Sequence, residues 1–174
     1  TLETMSGDLK CFKSNNLVTV NMGKPKFKWI DIPLSTDIDP QKVKLGNFNA
    51  FCLSMGNPHA VVFVEDLKAL DIESVGPKFE KHDYFPKYVN AEFVQVINRN
   101  EAVVIVWERG AGETMACGTG ACATVVAGVL NNVLDRKVRV HLPGGNLNIE
   151  WQESDNHIIM TGPAIQVFKG EFVL

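Results

Sequence analysis

The order of apolar and polar positions along the chain reads mostly as short strands. In residues 17–23, Val18, Val20 and Met22 recur at every second position, which places them on one face of a strand. Residues 51–56 and 59–66 are apolar runs on either side of a turn at Gly56-Asn57-Pro58. Residues 91–100 and 101–110 predict a hairpin that turns between Asn98 and Glu101. Four further runs, 137–142, 147–153, 157–162 and 164–172, follow at short spacing with Gly and Asn turns between them. Between Lys24 and Asn49, Pro25, Pro33, Pro40 and Gly46 break any period, so that stretch reads as connection.

Two segments carry a helical pattern instead. The first lies within residues 71–82, with Leu70, Val75 and Phe79 apolar and Tyr84-Phe85-Pro86 ending it. The second starts near Gly118 to Gly120 and runs to Leu130, where Asn131-Asn132 stops it. It is apolar on nearly every face, so it must be buried on all sides. Many short strands and one wholly apolar helix predict an α+β domain. Its sheet is expected to be strongly curved, largely antiparallel and wrapped barrel-like around the central helix.

Composition narrows the partners. The 174 residues are 45% apolar, enough for the core of one domain. A net charge of −3 and scattered basic residues argue against nucleic acid or an anionic membrane as partner. Lys24, Lys26 and Lys28 alternate with Pro25, Phe27 and Trp29, the pattern of a solvated strand face. No apolar run reaches the roughly 18 residues that would span a bilayer, and no signal-peptide pattern precedes the first strand. Cys11, Cys52, Cys117 and Cys122 make no CxxC pair, so a reducing, cytoplasmic setting is expected. Thr1 stands where a start Met would, and the chain is expected to be part of something longer.

The candidate chemistry lies in ACGTGACA, residues 116–123. Gly118 and Gly120 strip side chains from a helix start, leaving backbone N–H groups free for a carboxylate or phosphate, and Thr119 adds a hydroxyl. The helix-end field favours a thiolate at Cys117, by at most roughly 1.5 pKa units. Cys11, Cys52 and Cys122 read as structural, and a redox pair of Cys117 with Cys122 fails because they point to different helix faces. His59, His82, His141 and His157 show no metal-ligand spacing, so no metal is expected. Cys117 is left as a nucleophile with His59 as its base, which would make a hydrolase or transferase, or as a proton-transfer group. Asn57 in its turn and Asn90 at a strand entry read either as turn residues or as ligand contacts, and the charged pair Glu108-Arg109 at a strand end, beside an anion-binding helix start, suits a zwitterionic ligand or a surface ion pair.

Four blocks, GNPH (56–59), VNAEFVQ (89–95), ERGAGET (108–114) and ACGTGACA (116–123), together resemble the diaminopimelate epimerase family in order and spacing. The resemblance implies inversion of one α-carbon of LL-diaminopimelate to the meso form without pyridoxal phosphate or any other cofactor. In that family one cysteine acts as thiolate base and another, across the substrate, as thiol acid. Cys117 matches one of the two. Gly118 and Thr119 match residues that hold the reacting carboxylate. Asn57, Asn90, Glu108 and Arg109 match substrate contacts, and His59 and Glu108 match groups that tune the cysteines.

The family's other cysteine, in a CGNGxRC-type block of a homologous first half, has no counterpart here. The resemblance therefore implies a C-terminal half, inactive alone, whose partners are the substrate diaminopimelate, the missing N-terminal domain and a second subunit in a homodimer. It further implies that residues 17–162 are the domain proper, with 1–16 and 163–174 packing against the missing half. A non-catalytic ligand-binding domain is the remaining alternative.

Overall fold

The computed structural model describes residues 1–4 and 7–172. Strands β1 (Leu2–Thr4) and β2 (Gly7–Leu9) form a small antiparallel hairpin of their own. The remaining strands are β3 (Cys11–Ser14), β4 (Leu17–Asn21), β5 (Val43–Leu45), β6 (Phe48–Ser54), β7 (Pro58–Phe63), β8 (Asn90–Asn98), β9 (Glu101–Glu108), β10 (Gly112–Thr114), β11 (Lys137–Leu142), β12 (Gly145–Trp151) and β13 (Ile158–Pro163). They make one sheet in the order β3-β4-β13-β12-β11-β9-β8-β7-β6-β5. Strand β9 forks it, because one of its edges is shared: β11 pairs along Glu101–Val103 and β10 along Val106–Glu108.

The two helices sit in crossovers. Helix α1 (Ile72–Glu80) joins the parallel neighbours β7 and β8, and α2 (Gly118–Leu130) lies between the parallel neighbours β9 and β11. All other pairings are antiparallel, so the sheet is mixed. Alternation along each strand splits the core in two. Leu53, Val61, Val94, Val104 and Val106 face α2, whereas Ala60, Val62, Phe93 and Ile105 face the side covered by α1.

Helix α2 is buried continuously from Gly120 to Gly128, and the elements packed on it are strands of this one sheet, from β6 round to β13. A helix covered on every face by a single sheet requires that sheet to curl around it. The sheet nevertheless stays open, since β3 and β5 at its ends do not pair with each other, and the barrel-like closure expected from the sequence is not formed. Closure would need those two edges to meet.

Both helices fall where the sequence pattern put them. Asp71 caps α1 by accepting from the Ser74 N–H at 3.1 Å. The Asn131 N–H and side-chain amide both donate to the Ala127 carbonyl at 2.9 Å, ending α2. Residues 164–172 depart from expectation. Their apolar alternation suggested a strand, yet none forms, and Ile165 and Phe168 are 78% and 80% exposed. A strand needs a neighbour's backbone along its length, and among the described residues only Ala164, at the start of the segment, donates its N–H outside it, to the Asn16 carbonyl at 3.4 Å. The connecting stretch 24–49 does contain the short strand β5, the first two residues of β6, and a bridge from Lys26 to Ser54.

Candidate active site

The site is built where three sheet strands end under the first turn of α2. Because side chains alternate, His59 on β7, Asn90 and Glu92 on β8, and Glu108 on β9 share the α2-facing side. Parallel pairing of β7 with β8 sets His59 opposite Asn90 and Val61 opposite Glu92. Cys117 is the N-cap of α2, with extended backbone at φ −135°. Its Sγ accepts from the Gly120 N–H at 3.4 Å and lies 3.5 Å from Thr119 Oγ1.

From the sulfur a line of contacts runs into the sheet. Asn57 Nδ2 donates to Thr119 Oγ1 at 3.2 Å, and Asn57 Oδ1 lies 3.0 Å from His59 Nε2. His59 Nδ1 in turn lies 2.6 Å from Glu92 Oε1. His59 and Glu92 are both wholly buried. Both imidazole nitrogens are thus engaged, and His59 reaches Cys117 only through Asn57 and Thr119. A direct Cys–His pair, as a hydrolase would use, is absent from these contacts.

A second set of contacts shapes the Glu108–Gly112 turn. Asn90 ties it to the other turn of the site: its Nδ2 donates to the Pro58 carbonyl at 2.8 Å and its Oδ1 accepts from the Arg109 N–H at 2.9 Å. The Arg109 guanidinium is exposed and donates to the Lys87 carbonyl. Thr114 Oγ1 donates to Glu108 across the β9–β10 pair. Gly110 and Gly112 take φ of 79° and 81°, which explains two glycines in ERGAGET. Glu80 of α1 clamps the turn from outside, accepting from the Gly110 N–H and from Trp107 Nε1, each at 2.8 Å.

At the Cys117 sulfur, burial outweighs the helix end. Burial, the largest cause, pushes the Cys117 thiol up to about 11, and any negative charge carried by Glu92 or Glu108 would act in the same direction. The donors Thr119 and Gly120 pull the other way and lose. The helix end therefore does not make a resting thiolate here. It is outweighed because the sulfur is almost sealed from water beside carboxyl groups. Cys52 and Cys122 are pushed up further by burial, and all four cysteines are free thiols.

Asn57, His59, Gly118, Thr119 and Cys117 come together as one cluster, while Asn90, Glu108 and Arg109 form its neighbouring rim. Two residues of the arrangement, Glu92 and Glu80, were not singled out from the sequence. Glu92 left one signal there, a lone carboxylate within the apolar alternation of NAEFVQV. Glu80 left none, because its partners come from β9 and the turn after it.

Comparison with known proteins places the chain in a family. A family model described as diaminopimelate epimerase matches residues 51–167. The diaminopimelate epimerase of Acetivibrio thermocellus is 52% identical over 160 residues, covering 89% of this chain and 57% of the relative. That of Methanococcus maripaludis is 46% identical over 181 residues, covering 98% of this chain and 65% of the relative. The chain thus spans about 57% to 65% of the length of these two relatives. In fold alone it resembles a hydroxyproline epimerase from Agrobacterium vitis, with TM-score 0.60 and 14% identity over 92% of this chain and 55% of that one. A PhzF-family phenazine biosynthesis protein from Enterococcus faecalis has TM-score 0.60 and 17% identity over 99% of this chain and 64% of that one.

Proposed function

The chain belongs to the diaminopimelate epimerase family, and from that premise we propose that it is the C-terminal, Cys117-bearing half of an enzyme that interconverts LL- and meso-diaminopimelate. The observation that carries the reading is the seat of Cys117: its sulfur caps the start of α2, accepting from the Gly120 N–H and lying 3.5 Å from the Thr119 hydroxyl, at a helix end suited to a carboxylate.

The chemistry follows from that seat. The C–H bond at the α-carbon breaks, its proton passes to a thiolate on one face, and the electron pair spreads into the adjacent carboxylate. A thiol on the opposite face then returns a proton and inverts the centre. Donors aimed at the charge that builds on the carboxylate are the larger contribution, and Gly118 and Thr119 at the helix start supply them. Each positioned acid or base adds about 10²–10⁴-fold. Cys117 serves as acid in one direction of the reaction and as base in the other.

Asn57, Asn90, Glu108 and Arg109 are assigned to the substrate's polar groups, and His59 and Glu108 to tuning the thiol. No cofactor is required by this scheme. The opposing cysteine has to come from an N-terminal domain, against which residues 1–16 and 163–174 pack beside the domain at 17–162. The whole enzyme is read as a cytoplasmic homodimer, and the 174-residue chain alone as inactive.

Solvent deuterium uptake at the α-carbon of diaminopimelate tests this. The chain alone should show none, and the chain joined to a first half from a relative should exchange and epimerise. Both activities should vanish with Cys117→Ala. Exchange by the chain alone, or retained exchange in the variant, would refute the assignment. An acyl adduct on Cys117 would favour the hydrolase alternative, and tight binding without exchange in the joined protein would favour a non-catalytic domain.

A further inference from the structure

The fully buried Glu92 is the one group of the Cys117 cluster for which the reaction scheme has no use. Its Oε1 meets His59 Nδ1 at 2.6 Å, while its Oε2 is buried without any hydrogen-bond partner. A carboxylate with an orphaned oxygen in a dry interior is costly, and a neutral acid much less so. At 2.6 Å the two facing atoms cannot both present lone pairs, so one proton lies between them.

The positions of the other atoms narrow which group owns that proton. Asn57 Nδ2 faces Thr119, so Asn57 Oδ1 faces His59 and can only accept. His59 Nε2 therefore carries a hydrogen. If the ring is neutral, Nδ1 is bare and must accept, and the donor is Glu92 Oε1–H. Every later link then points the same way. His59 donates to Asn57, Asn57 donates to Thr119, and the Thr119 hydroxyl is left with its own hydrogen to give to the Cys117 sulfur.

We propose that Glu92 is a positioning residue of the Cys117 site: as a neutral carboxylic acid it donates to His59 and fixes the direction of a hydrogen-bond chain that ends on the sulfur. Burial raises the Glu92 carboxyl above the ordinary carboxylate range even against its contact with His59, in keeping with a neutral acid. A neutral Glu92 also removes its own share of the upward push on the thiol, leaving Glu108 on β9 as the charged carboxylate that acts on it. Cys122 within α2 also lies near these two as a neutral thiol, and Cys52, whose thiol burial likewise raises, sits on the other face of the sheet with Ala60. The close approach of α2 fits the same picture, since Gly120 lies directly against the Glu92 carboxyl.

The inference rests on Cys117 being the reactive group of the proposed function. Its test reads the imidazole and the thiol directly, so it can fail or stand whatever the chain does to diaminopimelate. Nitrogen-15 shifts of His59 in the 174-residue chain should report a neutral ring protonated at Nε2 near pH 7. In Glu92→Gln the side-chain amide can still donate to Nδ1, so the tautomer and the pH midpoint of Cys117 alkylation should match the parent. That midpoint is followed by peptide mass spectrometry, with the partly exposed Cys11 as internal standard.

In Glu92→Leu the direction is no longer fixed, Thr119 is released from the sulfur, and the midpoint should rise by about half to one pH unit. An imidazolium or an Nδ1-protonated ring in the parent would overturn the proposal. So would a lowered midpoint in Glu92→Gln, because that is the response to losing a negative charge. A folded Glu92→Leu with unchanged tautomer and midpoint would do the same. Should Glu92→Leu fail to fold, the parent spectrum and Glu92→Gln still decide.

Discussion

Gly120 and Glu92 are packed so closely that a methyl group on Gly120 would stand 2.9 Å from Glu92 Oε1, and only 3.3 Å from Cys117 Sγ. In an ordinary exposed helix, Gly→Ala stabilises by about 1 kcal/mol. Here the new carbon meets a short buried carboxyl fixed on β8 and the cap of its own helix. Overpacking of this kind costs about 1–3 kcal/mol. Gly120→Ala should therefore destabilise the chain in urea denaturation and alter the alkylation rate of Cys117. A stabilised variant would mean that the first turn of α2 can shift away from the sheet.

Glu80 provides a prediction in acid. Burial by itself raises its carboxyl, but the hydrogen bonds from Trp107 and Gly110, with Lys81 nearby, outweigh that and hold it below the ordinary range. A depressed carboxylate contributes stability that is present above its unfolded pKa, near 4.3, and is lost as pH falls through the folded value. Glu80→Gln should thus cost about 1 kcal/mol at neutral pH. The gap between the parent and the variant should close as the pH drops below about 4. Thermal melts across that window check it, and a gap independent of pH would show that the ionised form has no special role.

The thiols make the opposite prediction in alkali. Cys117 is raised from 9.0 to about 11, so the folded chain holds that proton more tightly than the unfolded one. The associated stability is complete below the unfolded pKa and drains away as pH rises from about 9 towards 11, by about 2 kcal/mol for this group. Cys52 and Cys122 add to the same trend. Urea midpoints should fall between pH 8.5 and 10.5, and less steeply in Cys117→Ala. Parallel slopes for parent and variant would contradict the burial argument for Cys117.

What the sequence disclosed follows from the range of the forces involved. The β8–β9 hairpin and α2 were legible because their patterns and end residues are local: Asn98 to Glu101 for the turn, Gly118 and Asn131 for the helix ends. Strand β10 was not legible, since Gly112-Glu113-Thr114 has no alternation and exists only by pairing with Val106–Glu108. In residues 164–172 the alternation was plain, but a pattern cannot supply a missing partner strand. The cluster of Cys117, Thr119, Asn57 and His59 could be named from its motifs. Glu92 looked like one polar interruption of a strand, and only the register of β7 against β8 turned it towards His59.

The uncovered segment leads to the last prediction. Ile165, Val167, Phe168 and Phe172 are 78% to 87% exposed in a stretch without secondary structure, and Phe12 on the sheet's edge strand β3 is 66% exposed. Large apolar side chains gathered in this way are seldom left in water by a soluble domain, and a free strand edge offers backbone partners as well. Two copies of the chain can satisfy both needs by adding residues 164–172 of one to the open edge of the other. Light scattering after gel filtration should give a mass that climbs above the 19.2 kDa monomer as concentration rises. Removing the chain from residue 164 onward should return it to the monomer without lowering the thermal midpoint, because residues 164–172 bury nothing in the core. Phe168→Asp should act in the same direction, since a charge there opposes burial without touching β3. A chain that stays monomeric at high concentration, or a truncation that unfolds it, would show that the segment is covered within its own molecule.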